Sequence, residues 1–160
     1  QTFVGQNYGA KNYRRITDSV QNIFILDLFV SMAMSTTLYF IGPPMVRLFM
    51  TENNDAIMSA AKEYILATAQ CYSMVAILFV LRNTLQGLGF TYSNMIAGAG
   101  EFFGRIAVAF VFTPLIGFKA VCYAAPAAWL LADIPLAIIY LKKHKYFLSL
   151  AKKNNIQKNV

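Results

Sequence analysis

The chain has 160 residues, of which 58% are hydrophobic and only 13% are charged, and its mean hydropathy is +0.49. Soluble domains carry about 25% charged residues, so this composition excludes an ordinary soluble domain. The formal net charge is +7, but six of the fourteen basic residues lie after Leu141, which indicates a basic juxtamembrane anchor rather than a nucleic-acid-binding surface.

The chain opens with a polar run over residues 1–15, which contains Lys11, Arg14 and Arg15. This run has no hydrophobic signal-peptide core. The first residue is Gln1 rather than Met, so we expect a fragment or a product that has lost upstream sequence. We interpret residues 1–15 as a cytoplasmic loop.

Four long apolar stretches follow, and each is close to the length that spans a bilayer. A hydrocarbon core about 30 Å thick needs about 20 apolar residues in a helix. The stretches cover about residues 20–41, 64–81, 94–116 and 120–141, and the second has no charge, proline or glycine. We therefore predict an all-α integral membrane protein with four transmembrane helices, within about residues 16–42, 60–82, 93–116 and 118–141 of a bundle over 16–141, and a basic cytoplasmic tail over 142–160.

The breaks between the stretches fit four helices. Pro43 and Pro44 are expected to end the first helix, since proline cannot continue the backbone hydrogen-bond ladder. Asn54 is a candidate N-cap for the second helix, and Gly87 is expected to end it. The short turn between residues 116 and 120 predicts a tight antiparallel hairpin of the third and fourth helices.

Basic residues are distributed unequally between the two sides that four spans define. Ten lie on the side of both chain ends and of the loop at 82–93, three lie on the other side, and Arg105 lies within a span. The positive-inside rule then places both ends in the cytoplasm. An odd number of spans would separate the two basic ends.

Polar side chains within the spans are the candidate ion-coupling or cavity residues, because an ionisable group at membrane depth costs about 2.5–3.5 kcal/mol on insertion scales. Glu101 and Arg105 are spaced i, i+4 on one helix, so they can neutralise each other. Gly100 and Gly104 beside them form a small-xxx-small step that admits a neighbouring helix. The pair is either a gate or coupling network, or a structural pair packed against another helix.

Three further candidates leave the same alternatives open. Asp27 can bind a proton or Na⁺, or it can reach the interface or a neighbouring helix. Asp133 lies near Pro135 in the fourth span, which suits either a transport path or a structural kink. Gln70 belongs to a polar second span that can line a wet cavity or bind adjacent helices.

Catalytic and cofactor patterns do not emerge from the sequence. His144 is the single histidine and lies in the basic tail, and Cys71 and Cys122 fall in apolar segments without metal-ligand spacing. We therefore predict a protein that is not an enzyme and that binds no cofactor or metal, apart from a coupling ion.

Several stretches, in order, resemble the multidrug and toxic compound extrusion (MATE) family. VGQNYGAKNYRRI resembles its G-Q-x-x-G-A loop, with matches at Gly5, Gln6, Gly9 and Ala10. LFMTENNDAI resembles an external loop, LRNTLQGLGFTYSNMIAGAGEFFGR resembles an L-Q-G-x-G turn followed by a glutamate and an arginine, and TPLIGFKAVCYAAPAAWLLADIPL resembles the final hairpin. Together they cover about residues 4–141.

The resemblance implies that the chain is the last four helices of a C-terminal six-helix lobe in a twelve-helix, two-lobe transporter. It implies export of amphipathic or cationic compounds in exchange for Na⁺ or H⁺, with a bacterial cytoplasmic membrane as the location and an N-terminal lobe as the partner. Some members carry a coupling carboxylate in the helix that corresponds to residues 64–81; here Glu63 lies only at its edge.

Two alternatives stay open. A flippase for lipid-linked saccharides shares the architecture, but it should present more basic residues to hold a pyrophosphate. A non-transporting membrane scaffold is a different class, in which the face of Gly100 and Gly104 would join two copies.

Overall fold

The computed structural model describes residues 1–50 and 54–158, and the described chain is helical almost throughout. In chain order its helices are α1 (Thr2–Gly9), α2 (Tyr13–Leu48), α3 (Asp55–Gln70), α4 (Tyr72–Gly87), α5 (Tyr92–Ala107), α6 (Thr113–Ile116), α7 (Phe118–Cys122) and α8 (Ala124–Lys158). A π-helical turn, Val108–Phe112, joins α5 to α6.

The prediction of an all-α integral membrane protein is supported by the length and hydropathy of these helices. Within the described residues, three segments are long and apolar enough to cross a membrane: Tyr13–Leu48, Tyr92–Ile116 and Ala124–Phe147. The pair α3 and α4 gives a fourth span if the two are counted as one bent helix. Only 6% of the most apolar 18-residue stretch of α2 is buried, against 28% of the corresponding stretch of α8. Helix α8 is therefore central in the bundle and α2 is peripheral.

The prediction that Pro43 and Pro44 end the first helix is wrong, because α2 runs through both and ends at Leu48. Each proline removes one backbone donor, but neighbouring packing keeps this part of the helix in place. Gly42 is buried against Ile65 of α3, and a Cβ on the glycine would lie 2.8 Å from the Ile65 Cγ2 atom.

The second span is broken, although its sequence predicts one continuous helix. Helices α3 and α4 meet at Cys71 with a bend of 46°. Asn54 does cap this span, as predicted: its side chain accepts hydrogen bonds from the backbone N–H groups of Ala56 and Ile57 at 3.1 and 3.4 Å.

The third and fourth spans form the predicted hairpin, with two changes at its ends. Gly117, at φ +67°, and the short helix α7 make the turn, so the long helix α8 begins at Ala124. Past Leu141 the predicted tail continues α8 to Lys158, and its last two residues lie outside the described range.

The polar run at the start of the chain folds as the helix α1 and docks on the bundle. Val4 of α1 is 3% exposed and shares a cluster with Val20, Val80 and Phe147. A second cluster, which includes Leu85, joins α4 to α5 and α8. Helix α1 therefore packs beside the end of α4 at Gly87 and beside α8 at Phe147.

Candidate functional site

The candidate site lies where α5 packs most closely on α8. Gly100 has no side chain between its backbone and α8, and a Cβ there would lie 2.9 Å from the carbonyl oxygen of Leu131 and 3.3 Å from the Cα of Ala132. The small-xxx-small step therefore admits a neighbouring helix, as predicted, and that helix is α8 of the same chain. This contact brings the polar residues of α5 and α8 together.

Glu101 bridges two arginines at this contact. Its Oε2 atom accepts hydrogen bonds from Arg105, with the Nη2 atom at 3.3 Å, so the predicted i, i+4 pair forms. Its Oε1 atom accepts a hydrogen bond from Arg82 of α4, across the helix interface. The side chain of Glu101 is 18% exposed, that of Arg82 is 25% exposed and that of Arg105 is 51% exposed. Arg82 is thus the more buried partner.

Asp133 completes the charged cluster from α8. It is 8% exposed and lies near the charged groups of Arg82 and Glu101. Among the described residues neither its Oδ1 atom nor the Nε atom of Arg82 has a hydrogen-bond partner, although both atoms are buried. Buried polar atoms are rarely left unpaired, so Asp133 has capacity for one more bonded group.

Two arginines and two carboxylates give these four side chains a formal charge of zero. Neutrality of this kind lowers the cost of burying each ion, because opposite charges compensate in a medium of low dielectric.

Gln70 lies at a second polar feature, beside the break in the second span. It is exposed and lines a cavity of about 210 Å³ together with Ser31, Ser35, Thr36 and Ser73. The Oγ atom of Ser35 donates a hydrogen bond of 2.6 Å to the carbonyl oxygen of Ala69. Transporters use backbone groups at helix breaks of this kind as polar ligands.

Asp27 stands apart from both features. It is partly exposed on α2 and, in the part of the chain that the structure describes, makes no hydrogen bond or ion pair. The structure therefore brings together Glu101, Arg105 and Asp133, and leaves Gln70 and Asp27 separate from them.

The sequence did not predict the roles of two residues, Arg82 and Ser35. Arg82 was expected in a loop over 82–93, but it lies within α4 and pairs with Glu101. The sequence carries no signal for this pairing, because it depends on how α4 and α5 pack. Ser35 carries no signal either, because hydroxyl groups commonly bond their own helix.

Three described segments are long and apolar enough to cross a membrane, and α3 with α4 gives a fourth if the two form one bent span, which indicates a polytopic all-α membrane protein. The sequence matches the model of the MatE family over residues 1–111. The chain belongs to this family, whose members are transporters and not enzymes. A search of curated proteins and of solved structures finds no match to the chain.

Proposed function

We propose that this chain serves cation-coupled antiport, in which Na⁺ or H⁺ enters as an amphipathic or cationic compound leaves. Asp133 is the ion-binding group in this proposal. Glu101, with its partners Arg82 and Arg105, transmits the change of charge between α8 and the neighbouring helices.

The observation that carries the proposal is the Oδ1 atom of Asp133, which is buried beside the ion pairs of Glu101 and has no hydrogen-bond partner among the described residues. A carboxylate at membrane depth is costly unless it serves a partner. Proton and ion relays place carboxylates in such positions. Residues 64–81 of the second span contain no acidic residue, so in this proposal Asp133 takes the role of the coupling carboxylate that some family members carry in that span.

The wider architecture belongs to the same proposal. We propose that the four spans form part of the C-terminal six-helix lobe of a twelve-helix transporter, with an N-terminal lobe as the partner. The exposed polar cavity at Gln70 would then face the substrate path, since binding sites of transporters built from repeats lie at the repeat interface. We propose that the protein lies in the plasma membrane with both chain ends on the cytoplasmic side, because basic residues favour that side by ten to three.

The ion pairs favour antiport over a saccharide flippase. A flippase needs unpaired cations to hold a pyrophosphate, whereas Arg82 and Arg105 both bond to Glu101. The contacts of Gly100 also bear on the scaffold alternative, because α8 of the same chain already covers the glycine that would join two copies.

Asp133→Asn tests the proposal in the full-length transporter. We would reconstitute the protein in liposomes and follow ethidium efflux under separate Na⁺ and H⁺ gradients. The amide keeps the shape of the carboxyl group but cannot hold a cation as tightly or bind an exchangeable proton, so gradient-driven efflux should fall at least tenfold while ethidium affinity changes less than twofold.

Asp18→Asn is the matched control, since Asp18 has an exposed side chain that pairs with Arg14 at 4.0 Å, away from the cluster. It should transport like wild type. Wild-type gradient dependence in Asp133→Asn, with normal melting in detergent, would remove Asp133 from the coupling mechanism.

A further inference from the structure

An apolar groove of about 540 Å³ runs between α2, α4 and α8, apart from the charged cluster. Its floor is formed by Val80 and Leu81 of α4, which are buried. Its walls include Ile25 of α2 and Leu141 of α8, which are 55% and 57% exposed. The volume falls within the roughly 300–1,000 Å³ of sites that hold small molecules.

The two ends of the groove differ in polarity. Helix α2 enters the membrane and α8 leaves it at the same side, so Gln21 and His144 lie together at one end. Ile77 and Ala137 lie at the other end, deeper in the bundle. Tyr140 stands between them and stacks on His144, with ring centroids 5.5 Å apart. An apolar groove with amphipathic side chains at its mouth is typical of the boundary between the hydrocarbon core and the lipid headgroups.

Basic residues lie near the polar end of the groove. Lys145 follows His144 directly and is exposed, and Arg14 lies two turns before Gln21 on the same face of α2. The acid beside this mouth among the described residues is Asp18, which pairs with Arg14. After Asp133 the sequence contains six lysines and no acidic residue.

The length of the groove distinguishes an acyl chain from a transmembrane helix as its occupant. From Ala137 to His144 the helix rises about 10 Å, at about 1.5 Å per residue. One leaflet contributes about half of a 30 Å hydrocarbon core, so the groove lies within a single leaflet. A transmembrane helix crosses both leaflets and would need a groove that continues past Ile77. An acyl chain ends within its own leaflet.

We propose that this groove binds one acyl chain of an anionic phospholipid, whose phosphate lies at the mouth formed by Gln21 and His144. The amide and imidazole N–H groups donate hydrogen bonds to the phosphate oxygens, and Lys145 and Arg14 add attraction between opposite charges. A zwitterionic phospholipid fits the same groove but gains less at the cationic mouth. The inference rests on the membrane location of the helices and is independent of the transport proposal.

Native mass spectrometry of the full-length protein from mixed micelles tests the inference. The probes are phosphatidylglycerol and phosphatidylcholine with identical palmitoyl and oleoyl chains. We expect the first phosphatidylglycerol molecule to bind at least fivefold more tightly than the first phosphatidylcholine molecule. Equal affinities for the two lipids, or no bound phospholipid because another helix or a second copy fills the groove, would overturn the inference.

Two variants localise the site. Ala137→Trp places an indole in the groove and should remove the preferred binding event, whereas Ala109→Trp adds the same indole at an exposed position outside it and should not. If Ala137→Trp does not fold, a double variant of His144→Glu and Lys145→Glu tests the same site at the mouth of the groove, where substitutions are accessible to solvent. This double variant should reduce the preference to less than twofold, while Lys119→Glu, which lies beyond the opposite end of α8, should leave it unchanged. A fivefold preference that survives in the double variant would contradict the proposed mouth.

Discussion

Gly104 of α5 lies against Ala128 of α8 so closely that a Cβ atom on the glycine would come within 2.9 Å of the Ala128 Cα atom. The atom nearest to such a Cβ belongs to the backbone of α8, which cannot move aside as the end of a flexible side chain can. Because Glu101 and Asp133 are held by the same helix pair, the separation of α5 and α8 sets the geometry of the charged cluster.

Gly104→Ala is therefore expected to destabilise the protein by about 1–3 kcal/mol, the usual cost of overpacking a tight contact. Gly98→Ala on the same helix is the matched control, since a Cβ there meets nothing within 4 Å. The control should be neutral or slightly stabilising, because alanine favours a helix more than glycine does. Melting temperatures in detergent compare the two, and equal melting of both variants would show that α5 and α8 are not in close contact.

The second prediction ranks the three members of the ion-pair network. Glu101→Gln leaves two arginines without their carboxylate, and an arginine cannot lose its proton. Breaking a buried pair costs about 3–5 kcal/mol, so Glu101→Gln should be the most damaging substitution. Arg105→Gln should cost about 0–1 kcal/mol, because the side chain of Arg105 is 51% exposed. Arg82→Gln should fall between them.

The double variant of Arg82 and Glu101 provides the control for this ranking. If the two side chains interact, the double variant to Gln should be more stable than the sum of the single effects predicts. Strict additivity would exclude the interhelical pair. Wild-type stability of Glu101→Gln with a loss of Na⁺ or H⁺ dependence would instead make Glu101 a coupling carboxylate.

The third prediction concerns the docking of α1. Gly87 at the end of α4 lies under α1, and a Cβ on it would come within 2.6 Å of the Gln1 carbonyl oxygen and 2.8 Å of the Val4 Cβ atom. Gly87→Ala should push α1 away from the bundle. A cysteine placed at Val4, which is 3% exposed, should then react with maleimide at least tenfold faster.

Gly9→Ala is the control for that experiment. Gly9 lies on α1, the helix that carries Val4, but a Cβ at Gly9 meets nothing within 4 Å. Both measurements use a background without Cys71 and Cys122. Unchanged labelling in Gly87→Ala would mean that α1 does not rest on this glycine.

The fourth prediction concerns orientation. Single cysteines at Lys11 and Lys145 should be protected in intact cells from an impermeant thiol reagent, and a cysteine at Asn54 should be labelled. The reason is the excess of basic residues on the side of both chain ends. Labelling of the cysteine at position 145 from outside would reverse the orientation, and opening the cells before labelling is the control for reactivity.

Much of the fold follows from local signals in the sequence. Hydropathy locates the spans, Asn54 marks a helix start, Gly87 marks a helix end, and the step from Gly100 to Gly104 marks a helix contact. The break at Cys71 has no such signal, because neither proline nor glycine is there and Ser35 from another helix bonds the nearby Ala69 carbonyl.

The site was predictable only in part, for a related reason. Glu101 and Arg105 lie one turn apart on one helix, so their pairing follows from helical geometry. The pairing of Glu101 with Arg82 depends on how far α4 is displaced along α5, which is decided by packing rather than by spacing in the sequence. The close approach of Gly42 to Ile65 of α3 next to Pro43 is likewise a contact between helices that the order of residues does not reveal.

The length of α8 divides the molecule between two solvents. From Ala124 to Phe147 the helix rises about 35 Å, which exceeds a hydrocarbon core of about 30 Å. Phe147 and the Tyr13 ring stacked on it at 5.7 Å therefore lie where water reaches the protein. Apolar contacts there are driven by release of water, whereas the contacts between α5 and α8 depend on close packing in lipid. Moderate urea should consequently loosen α1 and its aromatic contacts while the membrane-embedded helices stay assembled.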